Sequence, residues 1–589
     1  MTIYEPPYRD IAFVLHELLD APGALANMEA FRDLDADTMD QIVGEAGRFA
    51  KDVLLPLNAA SDRQGCTWRD GKVTTPEGYA AAYREYQRGG WPALACDPAC
   101  GGQGLPGLLN VVLNEMLAAC NHAWSMYPGL LHGTYQTLHA HASPELKARF
   151  LGKVVSGEWL STMCLTEAHA GSDLGLLRTR AEPAPGGSYR LTGTKIFISG
   201  GEQDMTPNIV HMVLARLPDA PAGTRGISLF LVPKVLDFDG SAKRPNALRC
   251  DGIEHKMGIR GSATCTLTFD GATGWMVGEP NRGLAAMFVM MNAARLHVGA
   301  SGLGLAEAAH QNAMAYSRER RQGKAAPRPA VAGAADAIID HAAVRRMLLT
   351  QKALVEGGRA LAYWTGLLID QAEHQPDAGM RAEGEELASL LTPVVKAFLT
   401  ENAFECSSLA VQIFGGHGYI TDTGVDQYLR DSRVTMIYEG TNEVQAIDLL
   451  QRKVLADGGR RLERLLTIVD LEAQRSAASA HARNFSARLA EIARQLRAAT
   501  AQVVHRAQAD AEAPFRIAGE YLHLVAHCML AHFWCMAGRV AGGRADAGDP
   551  FYAQKLATAN YYFTYLAPEA ERCAQIIGAD ERPLGREII

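Results

Sequence analysis

The 589-residue sequence has little charge and few aromatic residues. Charged residues make up 21% of the chain and aromatic residues 7%, whereas hydrophobic residues make up 48%. Disordered chains combine few apolar residues with a high net charge, so this composition predicts a folded protein. The formal net charge of −8 argues against nucleic-acid binding through the whole surface.

The sequence shows no apolar run that reads as a membrane span, because His, Arg or Gly interrupts each run before 18 residues. Glu5 and Asp10 near the N-terminus fit neither a secretory signal nor an Arg-rich transit peptide. The 11 cysteines are scattered and odd in number, which is not typical of a disulfide-stabilised secreted protein. We therefore expect a cytoplasmic protein that does not engage membranes. Cys96 and Cys100 lie four residues apart without a second pair or a nearby His, so no metal site is predicted.

At about 150 residues per domain, the length predicts three or four domains. Helical periodicity fills 1–160, short strands rich in Ile, Val, Phe and Thr fill 161–280, and helical periodicity returns over 281–450 and 451–589. This order predicts a multidomain α+β fold rather than an alternating α/β fold. The expected parts are an N-terminal helical domain, a central β-barrel, a C-terminal helical bundle and an additional C-terminal helical domain.

Four local patterns predict helix packing or a loop rather than a functional site. Gly299, Gly302 and Gly304 are better explained by close helix packing than by a dinucleotide motif, since Glu307 stands where a further glycine is needed. Cys528, His532 and Cys535 share a helix face, but their apolar surroundings favour a buried core over a metal site. The segment Gly323–Ala335 is predicted to be a loop. A heptad seam predicts a bundle core near the C-terminus; its members are Phe485, Leu489, Ile492, Leu496, Ala499 and Val503.

Two segments carry residues suited to chemistry. One is Tyr438-Glu439-Gly440-Thr441-Asn442, and the other, upstream, is Gln412-Ile413-Phe414-Gly415-Gly416-His417-Gly418-Tyr419. A carboxylate in an apolar pocket has a raised pKa and can act as a base near neutral pH. Glycines let backbone N–H groups approach an anion such as a pyrophosphate. Taken alone, Glu439 is better explained as a carboxylate at a helix start, but the two segments together favour a functional site.

Two further segments carry a family resemblance. They are Met163-Cys164-Leu165-Thr166-Glu167-Ala168-His169-Ala170-Gly171-Ser172-Asp173 and Gly193-Thr194-Lys195-Ile196-Phe197-Ile198-Ser199-Gly200-Gly201. Together with the two segments above, they make the chain resemble the acyl-CoA dehydrogenase family. The four segments follow one another along the chain in the family's order, and the resemblance spans about residues 40–450. The resemblance implies FAD-dependent α,β-dehydrogenation of an acyl-CoA thioester to the 2-enoyl-CoA. It implies that Glu439 abstracts the α-proton and that the β-hydride passes to flavin N5. The family polarises the thioester carbonyl with the backbone N–H of the catalytic glutamate and a ribityl hydroxyl of FAD.

The resemblance also implies cofactor contacts, residue by residue. Thr166 matches the residue that contacts the pyrimidine edge of the flavin. Phe197 matches the aromatic residue beside the isoalloxazine ring, and Ser199 matches the hydroxyl-bearing residue near flavin N5. The full set of matching positions is Met163, Leu165, Thr166, Phe197, Ile198, Ser199, Arg320, Gln322, Gln412, Gly415, Gly416, Thr441 and Glu443. Of these, Arg320 (with Gln322 beside it), Gln412, Gly415 and Gly416 match contacts made to a neighbouring subunit's FAD, which implies a homodimer or a dimer of dimers.

The expected substrate contacts fall into three groups. Ser172 and Arg295 match positions that contact the CoA portion, and Tyr438 and Gly440 flank the base. Met126, Tyr127 and Leu131 are candidates for the wall of the acyl pocket, with plain core packing an equal alternative. No metal ligand set is expected. The partners implied are the acyl-CoA substrate and an electron-transfer flavoprotein as electron acceptor.

Residues 451–589 extend beyond a typical family member, which indicates the long bacterial subgroup. Gln322 also runs directly into Gly323 where the family often has an aromatic, and the loop that follows is longer than usual. Two alternatives stay open at this point. One is an acyl-CoA oxidase that passes electrons to oxygen. The other is a DNA-binding flavoprotein of the same fold, since residues 451–589 carry a net charge of +3 against −11 for the rest of the chain.

Overall fold

The computed structural model describes residues 2–236, 243–325 and 335–579. Contacts divide the chain into two compact units. One comprises 1–45, 111–119 and 298–589, and we call it the helical unit; the other comprises 46–110 and 120–297, and we call it the sheet unit. The helices Ala36–Phe49, Gly107–Ser125 and Gly283–Glu319 have residues in both units.

The sheet unit contains a seven-stranded, mainly antiparallel sheet. Its strands are Leu160–Cys164, Arg180–Pro183, Tyr189–Ser199, Ile209–Arg216, Ile227–Pro233, Leu248–Ile253 and Thr264–Val277. Ile227–Pro233 pairs with both Thr264–Val277 and Ile209–Arg216, which curves the sheet. Two small hairpins pair Thr67–Arg69 with Lys72–Thr74 and Val235–Leu236 with Arg244–Pro245. The predicted β domain is present, and a closed barrel stays a prediction.

The sheet's core consists of alternate side chains from its strands. Leu191, Phe230, Leu267 and Phe269 are buried in it, and Val73 of the first hairpin packs against them. Burial of such side chains contributes about 1.5–3 kcal/mol each. The α-helices confined to this unit are Leu55–Gln64, Tyr79–Arg88, Leu131–His141, Pro144–Leu146 and Gly152–Val155, with π-helical turns at Ala50–Leu54 and Lys147–Leu151.

The predicted strands are broadly correct but incomplete. Tyr189–Ser199 and Thr264–Val277 are longer than the short strands expected, at 11 and 14 residues. The strand Leu160–Cys164 was not predicted, because it is buried at every residue and so lacks the alternation that marks a half-exposed strand. The hairpin at Thr67–Thr74 was not predicted either, since it lies inside a region expected to be helical.

The helical unit is built on long packed helices. Its α-helices are Tyr8–Ala12, Ala21–Ala26, Ala342–His374, Ala378–Phe414, Val425–Arg433, Asn442–Ile447, Arg460–Ala477, Arg483–Ala509, Ala513–Arg516, Ala518–Asp546, Pro550–Tyr561 and Pro568–Gly578, with π-helical turns at Phe13–Leu18, Asp448–Val454 and Tyr562–Leu566. The glycines near residue 300 serve close packing, as predicted: a Cβ at Gly304 would lie 2.1 Å from the Glu115 carbonyl oxygen. Most of the predicted loop Gly323–Ala335 lies outside the described residues.

The C-terminal helices form part of the helical unit. All six residues of the predicted heptad seam are buried in Arg483–Ala509, which confirms a bundle core there. Trp534 Nε1 donates a hydrogen bond to the Ala353 carbonyl oxygen at 3.2 Å, so the extension packs on the helix Ala342–His374. Cys528, His532 and Cys535 are buried, and no group of three His, Cys, Asp or Glu within the described residues could hold a metal ion.

The helix Ala518–Asp546 corrects one expectation. It is long and apolar enough to cross a membrane, which the sequence analysis did not anticipate. Inside the protein, 83% of its most apolar stretch is buried, as expected for the central helix of a bundle.

A buried charge cluster connects the N-terminal segment to the helices of the helical unit. Arg359 is fully buried and pairs with Asp10, with Glu115 at 2.7 Å and with Glu307 at 2.7 Å. Lys555 of the C-terminal extension also pairs with Asp10. Burial raises the pKa of Asp10, but the nearby charges of Lys555 and Arg359 outweigh it and lower that pKa to about 2.

We expect Arg359→Met to lower the free energy of unfolding by about 3–5 kcal/mol, because it leaves buried carboxylates without their cation. Urea unfolding at pH 7, followed by circular dichroism, measures the change. The matched control is Arg494→Met, which removes an exposed pair with Glu491 and should cost about 0–1 kcal/mol. Equal midpoints for the two variants would show that the cluster does not stabilise the fold.

Candidate active site

The segment around Glu439 adopts an unusual backbone conformation. Glu439 has φ +56° and Gly440 has φ +83°, so two consecutive residues lie in the left-handed region. Glycine tolerates this region, whereas for a glutamate it costs about 1–3 kcal/mol. Such strain persists only where the surroundings enforce it, and it concentrates at functional sites. The geometry therefore marks Glu439 as a residue held in place for a purpose.

Hydrogen bonds to the turn's carbonyl groups hold this conformation. Gln445 Nε2 donates to the carbonyl oxygens of Glu439 (3.2 Å) and Gly440 (3.3 Å). Lys396 Nζ donates to the Gly440 carbonyl oxygen at 2.8 Å. A Cβ at Gly440 would lie 2.6 Å from Gln445 Nε2, so no larger residue fits there without displacing this donor.

Glu439 is half-buried and follows the aromatic Tyr438 in the chain. Glu439 and Tyr438 are both partly accessible, which leaves the carboxylate able to meet a bound molecule. Burial, with the charge of Glu439 second, raises the pKa of the Tyr438 hydroxyl well above its ordinary value. Tyr438 is therefore neutral near pH 7 and offers a proton rather than a charge.

Two predicted cofactor contacts follow Glu439 at the start of the short helix Asn442–Ile447. The Thr441 hydroxyl caps this helix by accepting a hydrogen bond from the Val444 N–H at 3.3 Å. Glu443 is exposed in the first turn. The cap explains the threonine locally, because it satisfies one of the N–H groups left unpaired at a helix start.

In the sheet unit, the predicted flavin residues meet at the end of Tyr189–Ser199. Phe197 has φ +60° and its side chain is 60% exposed. The pairing with Thr264–Val277 shifts register between Cys265 and Leu267, so the strand bulges where Phe197 lies. Ser199, two residues on, is half-buried, and the Ile198 side chain is in the core. The bulge thus presents a large aromatic ring to the surface.

A buried ion pair attaches the Thr166 segment to the same strand. The fully buried Lys195 donates from Nζ to Glu167 Oε1 and to the Leu165 carbonyl oxygen, both at 2.9 Å. The Ile196 N–H donates to the Thr166 carbonyl oxygen at 2.9 Å. Burial raises the pKa of Glu167, but Lys195 and the hydrogen bonds outweigh it and lower that pKa to about 2. Leu165 and Thr166 are half-buried, and Met163 is buried in the strand before them.

Among the candidate pocket residues, Tyr127 lies beside the end of the strand Tyr189–Ser199. Its ring is close to Gly200, where a Cβ would lie 3.1 Å from Tyr127 Cδ1. Its hydroxyl accepts from the Ala263 N–H at 2.9 Å and donates to the Gly261 carbonyl oxygen at 3.2 Å. Tyr127 is therefore a rigid, buried side chain next to Gly200. Met126 is half-buried and Leu131 is buried.

The predicted CoA contacts are placed differently from each other. Ser172 is exposed, whereas Arg295 is 5% exposed and donates from Nη1 to Asn292 Oδ1 at 3.3 Å. Arg295 thus lies in the packed part of Gly283–Glu319, whereas Ser172 lies at the surface.

Two histidines of the sheet unit were not among the predicted site residues: His122, which is buried, and His297, which is half-buried. His297 lies two residues after Arg295, and a Cβ at Gly129 would lie 2.5 Å from its Nε2. Burial lowers the pKa of His297 to about 4 and, together with the charge of His297, the pKa of His122 to about 3. Both are neutral at pH 7. No motif in the sequence signals them, because a lone histidine in an apolar helix has no distinctive spacing.

The residues expected to reach a neighbouring subunit share one surface of the helical unit. Tyr316 stacks on Phe414 with ring centroids 4.1 Å apart, which joins the end of Gly283–Glu319 to the end of Ala378–Phe414. The predicted residues at these two ends are all exposed: Arg320, Gln322, Gln412, Gly415 and Gly416. Tyr419, just after them, is 88% exposed.

Family models match almost the whole chain. They are acyl-CoA dehydrogenase N-terminal domain over 36–158, acyl-CoA dehydrogenase middle domain over 162–272 and acyl-CoA dehydrogenase C-terminal domain over 281–454. A fourth, acetyl-CoA dehydrogenase C-terminal like, matches 466–584 in the extension.

Relatives match over the full length as well. A 3-methylmercaptopropionyl-CoA dehydrogenase of Ruegeria pomeroyi is 41% identical, with 95% of each chain covered. A butyryl-CoA dehydrogenase of Syntrophomonas wolfei is 33% identical, covering 95% of this chain and 94% of its own. Among solved structures, an acyl-CoA dehydrogenase of Bacillus anthracis complexed with FAD shares the fold with a TM-score of 0.73 at 19% identity, covering 94% of this chain and 90% of its own. The chain with the strained Glu439 turn therefore belongs to the acyl-CoA dehydrogenase family of FAD-dependent oxidoreductases.

Proposed function

We propose that the chain oxidises a short-chain acyl-CoA between Cα and Cβ to give the 2-enoyl-CoA, with Glu439 as the base. The observation that carries this proposal is the Glu439 turn. A partly accessible carboxylate is held on a strained backbone by Gln445 and Lys396, within a motif of the dehydrogenase family.

The chemistry explains why the base must be held so firmly. The α-proton of a thioester is weakly acidic, so it leaves only when a carboxylate is close and the developing enolate charge is stabilised. Glu439 supplies the carboxylate, and its backbone N–H is proposed to donate to the thioester carbonyl. A carboxylate fixed before the substrate arrives avoids the cost of orienting it during the reaction.

The residues of the sheet unit fit FAD. An aromatic ring that is 60% exposed on a strained bulge is unfavourable without a partner, and a flat ring system supplies one. Thr166 and Ser199, both half-buried beside that strand, offer hydroxyl groups to polar edges of the same ring system. When bound, FAD supplies the acceptor for the hydride that leaves Cβ.

The proposed substrate class follows from the relatives. Their names specify 3-methylmercaptopropionyl-CoA and butyryl-CoA, both thioesters with short acyl chains. Tyr127 is proposed as part of the acyl pocket wall, because it is buried beside Gly200 and is fixed there by two hydrogen bonds.

We further propose that the enzyme is at least a homodimer with FAD shared between subunits. The exposed surface of Arg320, Gln322, Gln412, Gly415 and Gly416 supports this, because a basic side chain and bare backbone suit a pyrophosphate. The proposed electron acceptor is an electron-transfer flavoprotein.

The basic C-terminal extension offers no support for DNA binding. Arg488 pairs with Glu571 at 2.6 Å, and Arg497 pairs with Glu463 and Asp470 at 2.9 and 2.7 Å. Arginines neutralised by carboxylates do not form the concentrated positive patch that phosphate binding requires.

We expect Glu439→Gln to lower the rate of flavin reduction by about 10²–10⁴-fold, because the amide cannot accept the α-proton. The measurement is the loss of flavin absorbance after anaerobic mixing of the holoenzyme with acyl-CoAs of increasing chain length. Glu385→Gln, an exposed glutamate on Ala378–Phe414, is the matched control and should behave like wild type. Full activity in Glu439→Gln would refute the base assignment, and peroxide formation at the turnover rate in air would favour an oxidase.

Phe197→Ala should weaken FAD binding by about three- to ten-fold, since stacking of an aromatic pair contributes about 0.5–1.5 kcal/mol. Fluorescence titration of the apoprotein with FAD measures the affinity. Phe197→Tyr keeps the ring and should bind like wild type. Equal FAD affinity in the alanine variant would show that the exposed ring does not contact the cofactor.

A further inference from the structure

The support of the catalytic turn extends beyond the residues that touch it. Lys396, which donates to the Gly440 carbonyl, also donates from Nζ to Asn442 Oδ1 at 2.8 Å. This lysine is fully buried, and a buried ammonium group needs several acceptors to offset lost hydration. The Asn442 side chain is thus one of the groups that hold Lys396 against the turn.

Asn442 is oriented in its turn by a carboxylate. Its Nδ2 donates to Glu401 Oε1 at 2.9 Å and to the Ala397 carbonyl oxygen at 3.1 Å. Because Nδ2 faces these acceptors, Oδ1 faces Lys396. The negative charge of Glu401 therefore stabilises the amide orientation that Lys396 requires.

The last member of this series of hydrogen bonds is a residue of the C-terminal extension. His523 Nε2 lies 2.7 Å from Glu401 Oε2, on the carboxylate oxygen that Asn442 does not use. The Phe398 ring packs edge-on against His523, with centroids 5.8 Å apart. The helix that carries His523, Ala518–Asp546, also packs on the catalytic helix Asn442–Ile447. The extension thus reaches the turn both by packing and by a hydrogen-bond chain.

We propose that His523 is a positioning residue for catalysis, and that the C-terminal extension holds Glu439 in place through the chain His523–Glu401–Asn442–Lys396–Gly440. This inference rests on the proposed role of Glu439 as the base. It assigns residues 451–589 a function in the reaction itself, since without His523 the Glu401 carboxylate is free to turn away from Asn442. The loosened turn then lowers the rate of proton abstraction more than it weakens substrate binding.

The surroundings of His523 favour its charged form. Glu401 and Glu405 face it from Ala378–Phe414, Glu569 and Arg572 lie on Pro568–Gly578, and Glu520 and His527 are on its own helix. Burial lowers the pKa of His523, but the hydrogen bond and charge of Glu401, with the other carboxylates, outweigh it and raise that pKa above its ordinary value. His523 is therefore fully charged below about pH 6.5, its ordinary pKa, and loses its charge as the pH rises through the raised pKa.

The test compares three variants of the holoenzyme by the rate of flavin reduction on anaerobic mixing with butyryl-CoA. His523→Phe keeps the ring packing on Phe398 but removes the donor, and should lower the limiting rate by about ten-fold, as expected for one charge-assisted hydrogen bond. The half-saturating concentration should change by less than about two-fold. His523→Gln retains an N–H donor and should stay within about three-fold of wild type. His532→Phe is the same substitution on the same helix. It should reduce its flavin at the wild-type rate, because His532 is not part of the hydrogen-bond series from His523 to Gly440.

A pH profile separates positioning from general destabilisation. The wild-type rate should fall on the alkaline side at a pH above about 6.5, the ordinary pKa of histidine. This limb should be missing in His523→Gln, which does not titrate. If His523→Phe fails to retain FAD, the comparison of wild type with His523→Gln still decides the matter.

The outcomes are distinct. A His523→Phe variant that reduces its flavin at the wild-type rate, or an alkaline limb that persists in His523→Gln, would overturn the positioning role and leave the base assignment intact. If no thioester reduces the flavin of the FAD-bound wild-type enzyme, the proposed function is wrong and this inference is wrong with it.

Discussion

The left-handed turn at Glu439 and Gly440 is the constraint on which the active site depends. Holding a glutamate at φ +56° costs about 1–3 kcal/mol of conformational free energy, which the surrounding hydrogen bonds must offset. Gln445 and Lys396 bond the turn's carbonyl groups, and Asn442 and Glu401 fix Lys396 in turn. This explains why a buried lysine and a buried asparagine lie together beside the turn.

The sheet unit uses strain in a similar way. Among the residues that the structure describes, seven other than glycine have positive φ, and only Phe197, Ile259 and Glu439 are neither Asp nor Asn. Two of these three are the residues proposed to contact cofactor and substrate. Phe197 is held by a strand bulge anchored through the buried Lys195–Glu167 pair. In each unit, regular packed elements hold one strained functional side chain.

Much of this organisation could be predicted from the sequence, because its signals are local. Periodicity predicted the helices, including the seam from Phe485 to Val503, and the motifs that carry the family resemblance predicted Glu439 and Phe197 as site residues. The strand Leu160–Cys164 was missed because a fully buried strand shows no alternation. The link from His523 to Glu401 was missed because it joins residues distant in sequence, and neither lies in a motif. The backbone strain at Phe197 was invisible for another reason, since it arises from register with Thr264–Val277 rather than from the residue itself.

The central claim is that Glu439 removes the α-proton in the step that reduces the flavin. The most direct measurement is the rate of flavin reduction in the wild-type holoenzyme with butyryl-CoA carrying deuterium at Cα, compared with the unlabelled thioester. The account predicts a slower rate for the deuterated substrate, because the Cα–H bond breaks in that step. Equal rates for the two substrates at saturation would contradict it.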